Sequence, residues 1–579
     1  MCIHIDVERS FLSKVQVELP RKMGYSKFVI YHIIAMNNNA FVGIDLGSSN
    51  TAASVRLDGD KKELFVIPMN DNGDTLLRSI VEYRVRDDGV VRPTVVPRIT
   101  LRTMKEGNVV MHMKRIIGRK FESEVVKEFA PMCKAEVQKG PNGFAAFWIP
   151  ALQRQLLPEE VCAEIIKEVI RRVKKFMEHY PTYKLRGLGV TVPAFFEQEQ
   201  RIATKKAVQL AIDGIIPEFP NDEFLTSHPE IHLYNEPSAA ALTYCHESRE
   251  TDGYIATYDL GGGTFDATVM KVVNGREYTV ISCRGINTIG GTNFDESILN
   301  YVVDYFNKEY GEDLLPPRKS KEYYRCLAKL ETCCKEAKEE LSAVNSTDIE
   351  LNDYIANAVG KSENDFDQVY EVTLTREIVR NLIQESLQTT FRELQSTIEQ
   401  ANLSCGIIKK VVLVGGSTRL PLVREELEKV FPGRISKEVN VDDCVSKGAA
   451  LFVYAESRNS IFLQNKTMLN VYTHPAGKKR LEVFIPKGTP IPCKKQKTFW
   501  TKKDHIGVVK DELYEGETSE TAHKLASLMA KGITEYDDGR AVELLYTISI
   551  SRECIISYSV EEVESGKLLV KDSVVGYKK

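Results

Sequence analysis

Tyr258-Asp259-Leu260-Gly261-Gly262-Gly263-Thr264-Phe265-Asp266 is the stretch around which the rest of the chain is read. It follows the apolar run Tyr254 to Thr257, so a strand is predicted to end in a glycine turn with a carboxylate on each side. Glycines permit positive φ and close approach, so that consecutive N–H groups can surround phosphate oxygens. The flanking carboxylates can hold a hydrated Mg²⁺ beside them. Three glycines after a strand can also mark a simple bend, and a lone glycine-rich match is weak. The choice depends on repetition.

The motif recurs. Phe41-Val42-Gly43-Ile44-Asp45-Leu46-Gly47-Ser48-Ser49-Asn50-Thr51 again joins a strand to Asp-Leu-Gly and small hydroxyl residues. After it, Ala52 to Leu57 predicts a strand, Asp58-Gly59 a tight turn and Leu64 to Ile67 the return. After the later copy, Ala267 to Val273, Asn274-Gly275 and Tyr278 to Ser282 repeat that plan. Agreement across five features implies an internal duplication.

Length and composition set the frame. At 579 residues, two or more cores are expected. A net charge of −4 gives no global reason for a nucleic-acid or membrane partner, and neither is expected. The twelve cysteines include no Cys-x-x-Cys and read as reduced thiols, which points to the cytoplasm. No run approaches the ~20 apolar residues of a membrane span. Residues 1–38 read as an appendage, with Met36 as an alternative start.

Between the copies, the basic run Met113 to Arg119 reads by composition as a solvated face. Pro158 to His179 carries Val161, Ile165, Val169 and Val173 on one helical stripe, Leu188 to Val192 predicts a strand, and Gln198 to Ile212 a helix. Asn235-Glu236-Pro237-Ser238 precedes an Ala-rich helix from Ala239. Beyond the second copy, Gly290-Gly291 opens onto a helix from Phe294, and Glu322 to Ser342 and Thr375 to Leu403 predict two more. Lys410 to Val414 then ends in Gly415-Gly416-Ser417-Thr418-Arg419 before a helix from Pro421, a third glycine turn at a helix N-terminus. From about Met468 the pattern becomes mostly β, with Ala522 to Ala530 alone suited to a short helix. The lysine-rich stretch Lys478 to Lys503 reads as the solvated face of a sheet.

Neither a P-loop nor a Gly-x-Gly-x-x-Gly after a strand is present, so phosphates must be held differently. Two related lobes could face each other and clamp a nucleoside triphosphate between their turns. Asp45 and Asp259 would orient a hydrated Mg²⁺, with the Gly47 to Ser49 and Gly261 to Thr264 backbones on the phosphates. Lys114 would neutralise developing charge, and Asp266 or Glu236 would orient water.

The order of these motifs resembles the 70-kilodalton heat-shock chaperones, DnaK-like proteins of the actin-like ATPase superfamily. The matching residues are Gly43 to Gly47, Lys114 to Arg119, Val190 to Ala194, Asn235 to Pro237, Asp259 to Asp266 and Val414 to Arg419. The resemblance implies an α/β fold: a two-lobed actin-like ATPase domain of duplicated ribonuclease H-like lobes over 39–458, a linker over 459–467, and a mostly β substrate domain over 468–579 without a helical lid. It implies that Lys114 is the catalytic lysine, that Asp45, Asp259, Asp266 and Glu236 surround the metal and water, and that Thr264 lies near the γ-phosphate. It places Gly415, Gly416, Ser417 and Asp442 on the adenosine side, with Lys338 and Ser342 from the opposite helix and Gly290 nearby. ATP or ADP with Mg²⁺, unfolded or extended polypeptides, J-domain co-chaperones and nucleotide-exchange factors are the implied ligands and partners.

Departures from that pattern are also present. Ser48-Ser49 replaces two threonines, Asn50 a tyrosine, Lys335 a glutamate and Thr292-Asn293 an acidic pair, while Ile461 to Asn465 lacks the linker's acidic residue. The expected function is ATP hydrolysis controlling the binding of apolar polypeptide segments. A nucleotide-binding regulator with little turnover is the alternative.

Overall fold

The computed structural model describes residues 38–60, 62–97, 107–286, 288–311, 321–352, 369–467, 469–474, 480–501, 507–516, 518–536 and 538–575. The appendage, apart from Asn38, therefore lies outside the described residues.

Each copy of the motif seeds a sheet of the same plan. In lobe I, β1 (Asn39–Leu46) pairs in parallel with Lys184–Val192 and antiparallel with β2 (Asn50–Asp58), which pairs with Leu64–Val66. In lobe II, β3 (Gly253–Leu260) pairs in parallel with Ile408–Val414 and antiparallel with β4 (Phe265–Val273), which pairs with β5 (Glu277–Ile286). Parallel neighbour, motif strand and two antiparallel returns occur in both, so the duplication extends to topology. The later hairpin turns as expected, with Asn274 at φ 53 and Gly275 at φ 60. The earlier one does not: the connection is longer than the two residues Asp58-Gly59, and Leu57 N–H donates to Glu63 O at 2.8 Å. Asp58 is instead held by an ion pair with Arg458, and Gly59 packs on Asn38.

Helices cover both sheets. Pro158–Met177 starts with proline at its first position and Leu157 N–H donating to the Glu160 carboxylate at 2.7 Å. Its stripe Val161, Ile165, Val169 and Val173 is buried, as the spacing predicts. Two small-residue helices separate the lobes. Helix α1 (Glu236–Ser248) leaves lobe I and packs on the lobe II sheet, while α2 (Cys444–Ser457) leaves lobe II and packs on the lobe I sheet and on α1. Their approach needs glycine: a β-carbon at Gly448 would lie 1.9 Å from Ala239 O. One buried cluster thus joins the lobes through Ala239, Ala240, Val412, Ala449 and Phe452.

The C-terminal part is a sandwich of two four-stranded sheets. One contains β7 (Val508–Gly516) and β8 (His523–Lys531); the other contains Cys493–Trp500, Glu543–Ile550, Ile556–Glu562 and Leu568–Val574. The short helix expected over Ala522 to Ala530 is therefore corrected to a strand. Leu525, Leu528 and Ala530 face the core while exposed Ser527 and Met529 point out, and a partner strand outweighs the helical preference of Leu, Ala and Met. Between the two parts, β6 (Phe462–Lys466) pairs in parallel with β5 and antiparallel with Pro490–Ile491. The stretch expected as a linker is a strand of the lobe II sheet. Among the described residues no helix is long and apolar enough to cross a membrane, and the ten described cysteines are all free.

Candidate functional site

The two glycine turns face each other across a cleft with about 1020 Å³ of space open to solvent. A β-carbon at Gly262 would meet Ser49 Oγ at 2.5 Å, so a turn from each lobe closes on the same space. The lobe II turn is tight, with Gly261 N–H donating to Thr264 O at 3.0 Å. It is held from behind: Gly291 and Thr292 N–H donate to Gly261 O and Gly262 O at 2.9 and 2.8 Å, and Ser417 Oγ donates to Gly261 O at 3.0 Å. Gly291, Thr292 and the third glycine turn thus brace the lobe II glycine turn. Gly415 takes φ 82, with Leu260 O only 2.4 Å from where a β-carbon would be.

Asp45 is the penultimate residue of β1 and accepts from Thr191 Oγ1 at 3.3 Å. Asp259 and Asp266 sit opposite each other in the β3–β4 ladder. Glu236 opens α1, right after Asn235, whose Oδ1 accepts from Arg201 at 3.0 Å. Arg201 also donates to Phe196 O and Ala194 O at 3.0 Å, fixing the Val192 to Phe196 loop beside Glu236. Lys114 lies on one 3-10 turn, Met113–Arg115, and ion-pairs with Glu236. The basic run is therefore not a solvated face: Met113, Lys114, Ile116 and Ile117 are all buried. The apolar positions Met113, Ile116 and Ile117 anchor the turn in the lobe I core and leave Lys114 in the cleft.

Four carboxylates, of Asp45, Glu236, Asp259 and Asp266, share Lys114 as their principal cation. Burial raises Asp45 to about 7, Glu236 adds to the rise, and Lys114 and Thr191 oppose it. Burial, then Glu236, raises Asp266 to about 7. Asp259 is raised well above the usual carboxylate range, again first by burial. For Lys114, burial lowers the pKa, but Glu236, Asp45 and Asp259 outweigh it and raise the ammonium above its ordinary value. An oxygen-only donor set with excess negative charge fits a hydrated Mg²⁺.

Asp45, Gly47, Ser48, Ser49, Lys114, Glu236, Asp259, Gly261, Gly262, Thr264, Gly415, Gly416 and Asp442 all line the cleft. Gly263 lies against the Arg115 guanidinium, 2.9 Å from where its β-carbon would be. Asp442 is ion-paired with Arg419. Lys338 pairs with Asp295 at 2.5 Å and donates to Gly291 O at 3.1 Å, so it braces the Gly290-Gly291 turn. Ser342 follows the helix Lys321–Glu340, where its carbonyl accepts from Arg376 at 3.3 Å; it is not among the lining residues. Arg115, Arg119, Phe196 and Gln200 also line the cleft, and sequence reasoning gave them no role there. The signal available for Arg115 was its place next to Lys114 on the same turn.

A duplicated two-lobed α/β fold with a charged interlobe cleft, followed by a β-sandwich, defines an actin-like ATPase with an appended β domain. The chain matches the Hsp70 protein family over residues 41–570. It is 32% identical over 481 residues to "Chaperone protein DnaK" of Psychrobacter cryohalolentis, covering 82% of this chain and 68% of that one. The chain belongs to the Hsp70 family, and it is an ATP-dependent chaperone and an ATPase.

Proposed function

We propose that ATP is hydrolysed on Lys114, Asp45, Glu236, Asp259 and Asp266, and that the cleft's state controls the grip of the β-sandwich on extended apolar polypeptides. The observation that carries this reading is the convergence of both glycine turns on a buried lysine surrounded by four carboxylates. Mg²⁺ held through water by Asp45 and Asp259 would neutralise phosphate charge. Ser48, Ser49 and the Gly261 to Thr264 backbone hold the phosphates, with Thr264 at the γ end. Lys114 stabilises the charge that develops there. Asp266, raised to about 7, is suited to take a proton from water near neutral pH, with Glu236 holding Lys114 in place. Gly416, Ser417, Asp442, Lys338 and Ser342 belong to the adenosine side.

In this reading the nucleotide domain spans 39–458, the linker 459–467 and the polypeptide-binding domain 468–579. J-domain proteins and nucleotide-exchange factors are its partners, and the free thiols suit the reducing cytoplasm. Single-turnover hydrolysis by the protein and by Lys114→Ala tests the assignment. The variant is expected to hydrolyse roughly 10²–10³-fold more slowly while still binding nucleotide. Equal rates in both would contradict the role given to Lys114.

A further inference from the structure

We propose that Glu230, His232 and Glu553 form a divalent-metal site of the Zn²⁺ type that ties the nucleotide domain to the β-sandwich. One ligand atom from each residue lies within 4.8 Å of the others. Two ligands about 2.1 Å from one tetrahedral ion sit about 3.4 Å apart, so the three close on an ion by about 1.4 Å at most. Small side-chain rotations cover that distance.

The three residues come from both domains. Glu230 immediately precedes the strand Ile231–Asn235, and His232 is two residues further on, so both project from one face. Glu553 lies on the turn between Glu543–Ile550 and Ile556–Glu562, where Ser551 Oγ donates to its Oε2 at 2.7 Å. Behind the imidazole stands a fourth carboxylate that is not one of the three. His232 Nδ1 is 3.3 Å from Glu456 Oε2, and Tyr234 OH donates to that same oxygen at 2.7 Å. Nδ1 thus has the Glu456 carboxylate as its neighbour, and Nε2 is the nitrogen assigned to the ion. The ring is also stacked on Tyr234, with planes 11° apart. A carboxylate behind a fixed histidine is the outer-shell arrangement that orients metal-bound imidazoles.

The site exists only where the domains meet. Beside it Gln198 joins them: Ile556 N–H donates to Gln198 Oε1 at 2.7 Å, and Gln198 Nε2 donates to Ile556 O at 3.2 Å and to Val575 O. Metal binding and this docking are therefore linked, and each strengthens the other.

Co²⁺ titrated into the full chain without nucleotide tests the proposal, because its visible absorption separates nitrogen–oxygen from thiolate ligation. Wild type is expected to bind one Co²⁺ through nitrogen and oxygen that His232→Ala and Glu553→Gln do not bind. Glu456→Gln is expected to bind it about 10–100-fold more weakly. Hydrogen exchange of the Ile556 amide should slow with Co²⁺ in wild type alone. Identical titrations of wild type and His232→Ala would overturn the site, as would a thiolate-type band for the lost ion. Loss in His232→Ala but not in Glu553→Gln, or unchanged Ile556 exchange, would overturn its bridging of the domains.

Discussion

Lys335 stands on the lobe II helix Lys321–Glu340 in a cationic neighbourhood. Burial lowers its pKa, Arg78 of the opposite lobe lowers it further, and Glu339 and Asp295 oppose the shift. Like charges brought near each other from the two lobes resist the lobes' approach. Lys335→Glu is therefore expected to tighten ATP binding by about two- to fivefold, read by equilibrium titration; unchanged or weaker binding would contradict this account of Lys335. At this scale, the carboxylates set in a repeated order were legible, because Asp45 and Asp259 need their neighbours in sequence to form the turn, whereas the basic run around Lys114 read by composition as a solvated face. Arg201 and Arg115 were not. Arg201 acts by donating to backbone carbonyls brought to it by folding, and Arg115 by lying on Gly263 and donating to Thr292 Oγ1 at 3.3 Å.

The crossing of α1 and α2 sets how the lobes meet. Ala, Ser and Gly along both helices allow Ser54 Oγ to reach Ser446 Oγ at 2.8 Å and Thr243 Oγ1 to donate to Cys444 O at 2.6 Å. Gly448→Ala pushes a methyl into backbone and is expected to cost about 1–3 kcal/mol, seen as a lower Tm; an unchanged Tm would contradict this packing. A second element sets a pH dependence. Glu515 on β7 is raised to about 7, first by burial and then by Glu197 and Glu199, with Arg201 opposing. A carboxyl raised on docking binds more protons docked than free. Docking should thus strengthen as pH falls from 8 through 7 to 6, by on the order of 1 kcal/mol. Exchange at the Ile556 amide reads this, and Glu515→Gln is expected to dock at pH 8 as wild type does at pH 6; equal pH dependence in both would exclude Glu515 as the group. Helical periodicity made Pro158–Met177 legible, whereas His523–Lys531 shows its alternation only once β7 supplies a partner.

Across the whole molecule, duplication was readable from sequence because both copies retain strand, turn and hairpin. The role of residues 462–466 was not readable, because a short apolar run becomes a strand only when an edge is offered. Here β5 offers it: Tyr278 pairs with Leu463, and Leu463 packs on the cluster that joins the lobes. The next strand contact, Asn465 with Ile491, already belongs to the β domain. The lobe II sheet and the β domain are thus joined through one strand, β6, which pairs with both. The most direct test is the dissociation rate of a labelled, extended apolar peptide from the full chain, in ATP and in ADP, for wild type and Leu463→Asp. Release by wild type is expected to be about tenfold faster or more in ATP, and Leu463→Asp is expected to remove the difference. Equal release of wild type in ATP and ADP would contradict the coupling of cleft to β domain.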